Sequence, residues 1–350
     1  MNARRVTRQV RVGSVPIGAG APVSIQSMTT TPTRDVERTV DQILALAEAG
    51  CELVRVACPT EADVRALGKI KARIPLPLVA DIHFNDQFAL MALDEGVDKL
   101  RLNPGNIGSR DRVERIVKKA AERKVPIRIG VNSGSLEKDL MEKFGPTAEA
   151  LVESAARHVA ILEELDFRDL VISLKASDVP TMIRAYRLAS ARFDYPLHLG
   201  VTEAGTLLRG SVYSAIGIGT LLGEGIGDTL RVSLTADSRE EIRVAKMILE
   251  ALGLRKGVRV ISCPSCGRAE VNVLKLAEEV EKRAMSLKRP VTISVLGCAV
   301  NGPGEAHESD FGVTGGKDKG AIYVDGKPLR VVDEAKLVDE LFSEIEKKQR

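Results

Sequence analysis

Leu78-Val79-Ala80-Asp81-Ile82 and Lys99-Leu100-Arg101-Leu102-Asn103 are short runs rich in aliphatic residues, with a polar or charged side chain at or near the end of each. A longer charged stretch follows each of them, and the change of period from two to about 3.6 residues marks a strand giving way to a helix. Working outward, the same unit recurs. The strands read as 23–27, 53–57, 78–82, 99–103, 127–131, 170–174, 197–201 and 229–234, with helices at 35–49, 61–72, 110–123, 148–165 and 239–252 between them. Eight βα units predict a (β/α)8 TIM barrel, an α/β fold whose usual length is about 250 residues.

In such a barrel the active site lies where the strands end. They supply Ser27, Arg55, Asp81 with His83, Arg101 with Asn103, Arg128 with Asn132, Lys175, Thr202 with Glu203, and Arg231 with Ser233. Barrel interiors are filled mainly by branched aliphatics, and a buried guanidinium needs an anion. Any one of these arginines could be an internal ion pair. Their recurrence on several strands instead predicts a positively charged mouth suited to a small, highly anionic ligand such as a diphosphate. The glycine-rich run 217–228 precedes the last strand and reads either as a phosphate loop or as a connection that lets helix and strand pack closely.

Composition bounds the alternatives. The chain has 350 residues, 44% hydrophobic and 28% charged, without an apolar run long enough to span a bilayer. An N-terminus carrying Arg4, Arg5, Arg8 and Arg11 lacks the apolar core of a secretory signal, so a cytoplasmic protein is expected. A net charge of +3, with seven Phe, four Tyr and no Trp, gives no case for nucleic-acid binding. Five cysteines in a long chain argue for reduced thiols or metal ligands rather than a disulfide framework.

Near Lys256 and Gly257 the rhythm changes, which divides the chain into a barrel, 1–255, and a small α+β domain, 256–350. There a strand at 259–262 delivers Cys263, a helix covers 271–285, and a strand at 291–296 delivers Cys298; a hairpin around 325–328 and a helix at 334–347 follow. Cys263-Pro264-Ser265-Cys266-Gly267 is answered by Gly297-Cys298-Ala299-Val300-Asn301-Gly302-Pro303-Gly304-Glu305, giving C-x2-C-x31-C. A fourth ligand from His307 would make a closed Cys3His zinc site. Glu305 would instead make Cys3Glu, suited to a [4Fe-4S] cluster with one harder, more exchangeable ligand, and a turn at Pro303-Gly304 favours that choice by aiming the carboxylate toward Cys298. Cys51 and Cys58 read as small buried residues, His158 as a surface residue on its helix and His198 as structural, while His83 either touches substrate or orients Asp81.

Together with Val201-Thr202-Glu203-Ala204-Gly205, Gln26-Ser27-Met28, Ala80-Asp81-Ile82-His83-Phe84 and Arg101-Leu102-Asn103-Pro104-Gly105, the cysteine motifs resemble the bacterial two-domain family of 4-hydroxy-3-methylbut-2-enyl diphosphate synthases over essentially the whole chain. The resemblance implies a cytoplasmic iron-sulfur oxidoreductase of isoprenoid biosynthesis that reductively opens and dehydrates 2-C-methyl-D-erythritol 2,4-cyclodiphosphate. It implies a [4Fe-4S] cluster on Cys263, Cys266, Cys298 and Glu305, and a diphosphate held by Arg55, Arg101, Arg128, Lys175 and Arg231 with Asn103 and Asn132. Glu203 and Asp81 would sit near the ring carbons and hydroxyls, His83 and Thr202 would count among the substrate-binding residues, and Glu203, Asp81 and Glu305 would take catalytic roles. Reduced flavodoxin or ferredoxin would be the donor, and two chains would pair head to tail. The rival reading is a redox-silent phosphate-binding barrel with a zinc-stapled tail.

Overall fold

The computed structural model describes residues 2–287, 289–300 and 302–349; Asn301 of the second cysteine motif lies outside them. The chain falls into two compact units, Met1–Leu254 and Arg255–Arg350.

The first unit begins with a hairpin, β1 (Val10–Val12) and β2 (Val15–Ile17), whose Val12 and Ile17 pack on Leu53. Eight parallel strands follow: β3 (Ser24–Met28), β4 (Leu53–Ala57), β5 (Leu78–Asp81), β6 (Lys99–Arg101), β7 (Ile127–Asn132), β8 (Leu170–Lys175), β9 (His198–Leu199) and β10 (Thr229–Leu230). Their order is β8-β7-β6-β5-β4-β3-β10-β9, and a parallel bridge between Ile172 and Leu197 brings the ends of the series together. This is the expected barrel. Strands with helices over them are buried on both faces. In β8 all six residues are buried, with Leu170, Ile172 and Leu174 in the main core. By the two-residue period, Val171, Ser173 and Lys175 take the opposite face.

The helices are α1 (Val36–Ala49), α2 (Glu61–Arg65), α3 (Leu67–Lys71), α4 (Asp86–Asp94), α5 (Arg110–Glu122), α6 (Lys138–Phe144), α7 (Ala148–Glu164), α8 (Val179–Arg192), α9 (Leu207–Gly223) and α10 (Ser238–Ala251). Several start on side-chain caps that satisfy otherwise orphaned backbone donors. Asn85 accepts from the Gln87 and Phe88 N–H groups at the start of α4, and Asp178 accepts from the Thr181 N–H at the start of α8. Both caps stand just beyond a strand, so the turn of chain at the barrel mouth is fixed locally. The single helix expected over 61–72 is broken at Ala66 into α2 and α3. Most of the glycine-rich run lies in the second half of α9, where a Cβ on Gly217 would meet Val201 Cγ2 at 2.9 Å. Close packing therefore accounts for that glycine, on the approach to the start of β10 rather than beyond a strand's end.

The second unit is a five-stranded mixed sheet ordered β11 (Val258–Ser262), β12 (Val291–Leu296), β13 (Phe311–Gly316), β14 (Lys319–Val324) and β15 (Lys327–Asp333). Helices α11 (Val273–Ala284) and α13 (Leu337–Gln349) share its core through Leu276, Val280, Leu341 and Phe342; between β12 and β13 lies the short α12 (Gly302–His307). The β14–β15 loop is Asp325-Gly326, with φ of +51° and +73°, the left-handed pair that a two-residue hairpin requires.

Candidate active site

The ends of the barrel strands surround a cavity of about 180 Å³ lined by Arg55, Asp81, His83, Arg101, Arg128, Asn132, Lys175, Thr202, Arg231 and Ser233. Register explains the convergence. Asp81 pairs with Arg101 across β5 and β6, Arg101 with Arg128 across β6 and β7, and Asn132 with Lys175 across β7 and β8. A groove of about 260 Å³ between α1 and the start of α10 is larger, but its one cation, Arg239, is paired with Asp237. Charge, not size, marks the candidate site.

Two carboxylates organise the cations. Asp81 lies 3.2 Å from Arg101 Nη1 and 3.7 Å from Arg55 Nε, while His83 Nε2 is 3.6 Å away. Burial alone would raise the Asp81 carboxyl, but Arg55, the His83 hydrogen bond and Arg101 hold it well below the usual carboxylate range. Glu241, buried on α10, accepts from Ser27 Oγ at 2.9 Å, the Leu234 N–H at 3.1 Å and Arg231 Nη2 at 3.3 Å. The sequence reading overlooked this residue. Its helix position carried no motif, and only the fold brings it under Arg231.

Five cations, Arg55, Arg101, Arg128, Lys175 and Arg231, stand against these two carboxylates, a surplus of three. Arg128 is 1% exposed, and its Nε and Nη2, with Nε of Arg101 and of Arg231, are buried donors that no acceptor among the described residues satisfies. Unpaired buried donors on cations are costly unless an anion takes them up. Burial, then neighbouring cations, pulls Arg128 and Lys175 well below their ordinary values. Lys99, two residues before Arg101 on β6, is a further buried cation; its Nζ donates to Gln26 Oε1 at 3.4 Å. The two-residue strand period was the signal for it.

Two glycines make room for the cations. A Cβ on Gly130 would stand 2.5 Å from Arg101 Nε, and one on Gly200 would stand 2.8 Å from Lys175 Nζ. Asn103 and Glu203 are not among the lining residues. Asn103 is engaged with the backbone of Gly130, while Glu203 is exposed, in a left-handed conformation at φ +53°. A non-glycine residue held there stores backbone strain, which occurs preferentially at functional sites.

In the second unit Cys263 directly follows β11 and Cys298 comes two residues after β12, its parallel neighbour, so both sulfurs belong to one end of the sheet. The Gly297 N–H donates to Cys263 Sγ at 3.3 Å, and Arg268 interacts with both Cys266 and Cys298. Hydrogen bonds from the Arg268 backbone and side chain lower the exposed Cys266 thiol. An exposed, activated thiol at Cys266, beside a Cys263 sulfur that accepts a backbone N–H, fits an iron-sulfur centre. Among the described residues, no three His, Cys, Asp or Glu side chains converge closely enough to hold a metal ion. Glu305 is exposed on α12, so the segment read as a turn is a short helix. His307 Nδ1 lies 3.0 Å from the Gly326 carbonyl.

Cys51 and Cys58 are buried, their thiols pushed up to about 12 by that burial. His198 is buried beside Thr229. The expectation for His158 is corrected: it is buried, 3% exposed, because its face of α7 turns inward under the loop that follows β6.

Fold and site together define an α/β barrel whose mouth gathers buried cationic donors, joined to a smaller unit bearing three cysteines. The family model described as the GcpE TIM-barrel domain matches residues 7–246, and that of the GcpE protein C-terminal domain matches residues 259–347. The chain belongs to the GcpE family. It is 57% identical over 97% of its length to a protein of Geobacter sulfurreducens named 4-hydroxy-3-methylbut-2-en-1-yl diphosphate synthase (flavodoxin), covering 97% of that protein. A protein of the same name from Thermodesulfovibrio yellowstonii is 55% identical over 99% of this chain and 100% of its own. Among solved structures, a dihydropteroate synthase from Stenotrophomonas maltophilia superposes with a TM-score of 0.52 at 15% identity, covering 71% of this chain and 100% of that one, a likeness of fold alone.

Proposed function

We propose that this chain is a flavodoxin-dependent oxidoreductase that converts 2-C-methyl-D-erythritol 2,4-cyclodiphosphate to 4-hydroxy-3-methylbut-2-enyl diphosphate in the methylerythritol phosphate route to isoprenoids. The observation that carries the reading is the set of unpaired guanidinium donors at the strand ends, in a chain 55–57% identical to synthases named for that product and for flavodoxin. The reaction breaks one carbon–oxygen bond to phosphate and one to a hydroxyl, takes up two electrons and two protons, and releases water.

In this reading Arg55, Arg101, Arg128, Lys175 and Arg231 hold the diphosphate with Asn132, and they stabilise the phosphate oxygen as it takes on charge. Donors that are already buried need no reorganisation when that charge develops. Asp81, His83 and Thr202 meet the ring hydroxyls, and Asn103 acts through the backbone it grips. Glu203, next to Thr202 in the chain and held on a left-handed backbone, delivers a proton to the departing hydroxyl oxygen. Cys263, Cys266, Cys298 and Glu305 would hold a [4Fe-4S] cluster, which supplies electrons one at a time when bound. The chain works as a head-to-tail homodimer; the exposed Leu208, Val212 and Ile216, spaced four residues apart on α9, offer an apolar stripe for a second copy.

The test is anaerobic purification followed by assay with reduced flavodoxin. About four iron per chain with turnover of the cyclic diphosphate supports the reading. Colourless protein with one zinc and no turnover overturns it.

A further inference from the structure

We infer that His158 is a positioning residue for the anion site, a buried latch that ties the loop bearing Asn103 to the segment after β7 and thereby sets the brace on Arg101. The inference rests on the proposed function only in what it says of substrate; the latch itself is a property of the barrel unit.

The Gly105 N–H donates to His158 Nδ1 at 3.1 Å, which assigns the ring proton to Nε2. Nε2 faces Glu137 Oε1 at 3.5 Å, and Ser154 Oγ donates to the same oxygen at 3.1 Å. Gly105 is two residues beyond Asn103, and Glu137 lies between Asn132 and α6, so one imidazole joins two stretches that both begin at the mouth. The approach is tight: a Cβ on Gly105 would stand 2.8 Å from the ring Cε1. Burial lowers the imidazole below its ordinary range, so Nδ1 stays an acceptor near neutrality.

The consequence passes along the chain to the site. Asn103 binds the backbone of Gly130, and the Gly130 carbonyl accepts from Arg101 Nη2 at 2.7 Å. Releasing Gly105 frees the loop end that aims Asn103, and a loosened Asn103 leaves Arg101 without its fixed carbonyl. His158 is not among the cavity-lining residues, so its effect must travel through these contacts. A neutral imidazole suits the task because it accepts on one side of the ring and donates on the other.

The test uses the cluster-loaded enzyme with three substitutions. His158→Ala removes both contacts; His158→Asn restores an acceptor at the position of Nδ1; Glu137→Ala removes the far anchor while leaving the ring in place. Hydrogen exchange across residues 102–108 should be faster in His158→Ala and near wild type in His158→Asn. KM for the cyclic diphosphate should rise about tenfold in His158→Ala, with kcat changed far less, and recover in His158→Asn. If His158→Ala does not fold, Glu137→Ala carries the test, with the same direction expected in exchange and KM. Unchanged exchange across 102–108 in the variants, or unchanged KM beside faster exchange, overturns the inference. A wild-type protein that does not turn over the cyclic diphosphate would instead count against the proposed function, since the exchange measurement needs no substrate.

Discussion

Asn103 grips Gly130 through both ends of its side-chain amide: the Gly130 N–H donates to Oδ1 at 2.8 Å, and Nδ2 donates to the Gly130 carbonyl at 3.1 Å. The same carbonyl receives Arg101, whose guanidinium occupies the space that a Cβ on Gly130 would take. Gly130→Ala is therefore expected to push Arg101 out of place. Overpacking of this kind costs about 1–3 kcal/mol of stability, and a displaced clamp should raise KM about tenfold or more. Thermal unfolding and initial-rate kinetics measure the two effects separately.

Glu241 is the hidden counterpart of Arg231. Glu241→Ala leaves a half-buried guanidinium, the Ser27 hydroxyl and the Leu234 N–H without their shared acceptor. Breaking a buried pair from one side costs about 3–5 kcal/mol, so denaturant unfolding should show a clear loss. Glu241→Gln, which keeps one carbonyl acceptor, should lose less.

Lys175 makes anion binding depend on pH. Burial, with Arg128, Arg231, Arg55 and Arg101 around it, depresses its folded value, and a bound diphosphate raises it again. Below the depressed value the amine is charged with or without ligand, and no proton moves. Above it, binding takes up a proton, so affinity falls as pH rises, by up to about tenfold per unit for one proton. Calorimetric titration of the cyclic diphosphate in buffers of different ionisation enthalpy should report that uptake, and Lys175→Met should remove it.

Replacing Cys266 with Ala should leave the barrel intact, because the residue belongs to the other compact unit. Iron content and turnover should fall together while binding of the cyclic diphosphate persists. Loss of binding would show that Cys266 supports the anion site itself.

Much of this molecule was legible in the sequence for a simple reason. A parallel barrel repeats one pattern, and charged residues at fixed strand positions violate the aliphatic rule for its interior. Arg128 was found that way, being a cation where packing alone would place an aliphatic side chain. Lys99 obeyed the same rule two residues earlier on its strand and was passed over because it lies below the mouth. Glu241 and His158 were not legible, since both sit on amphipathic helices where a polar residue is ordinary. Only tertiary contact brings Glu241 to Arg231 and His158 to Gly105. The N-terminal hairpin escaped notice because strands of three residues carry too little period to read.

The central event is anion-clamped, cluster-fed reduction of a cyclic diphosphate. Phosphorus NMR of an anaerobic mixture of the iron-loaded protein, reduced flavodoxin and 2-C-methyl-D-erythritol 2,4-cyclodiphosphate follows that event at the bond that breaks. The cyclic signals should give way to those of a linear diphosphate ester, and Glu203→Gln should slow this change while the protein retains its iron. Persistence of the cyclic signals with fully iron-loaded wild-type protein would contradict it.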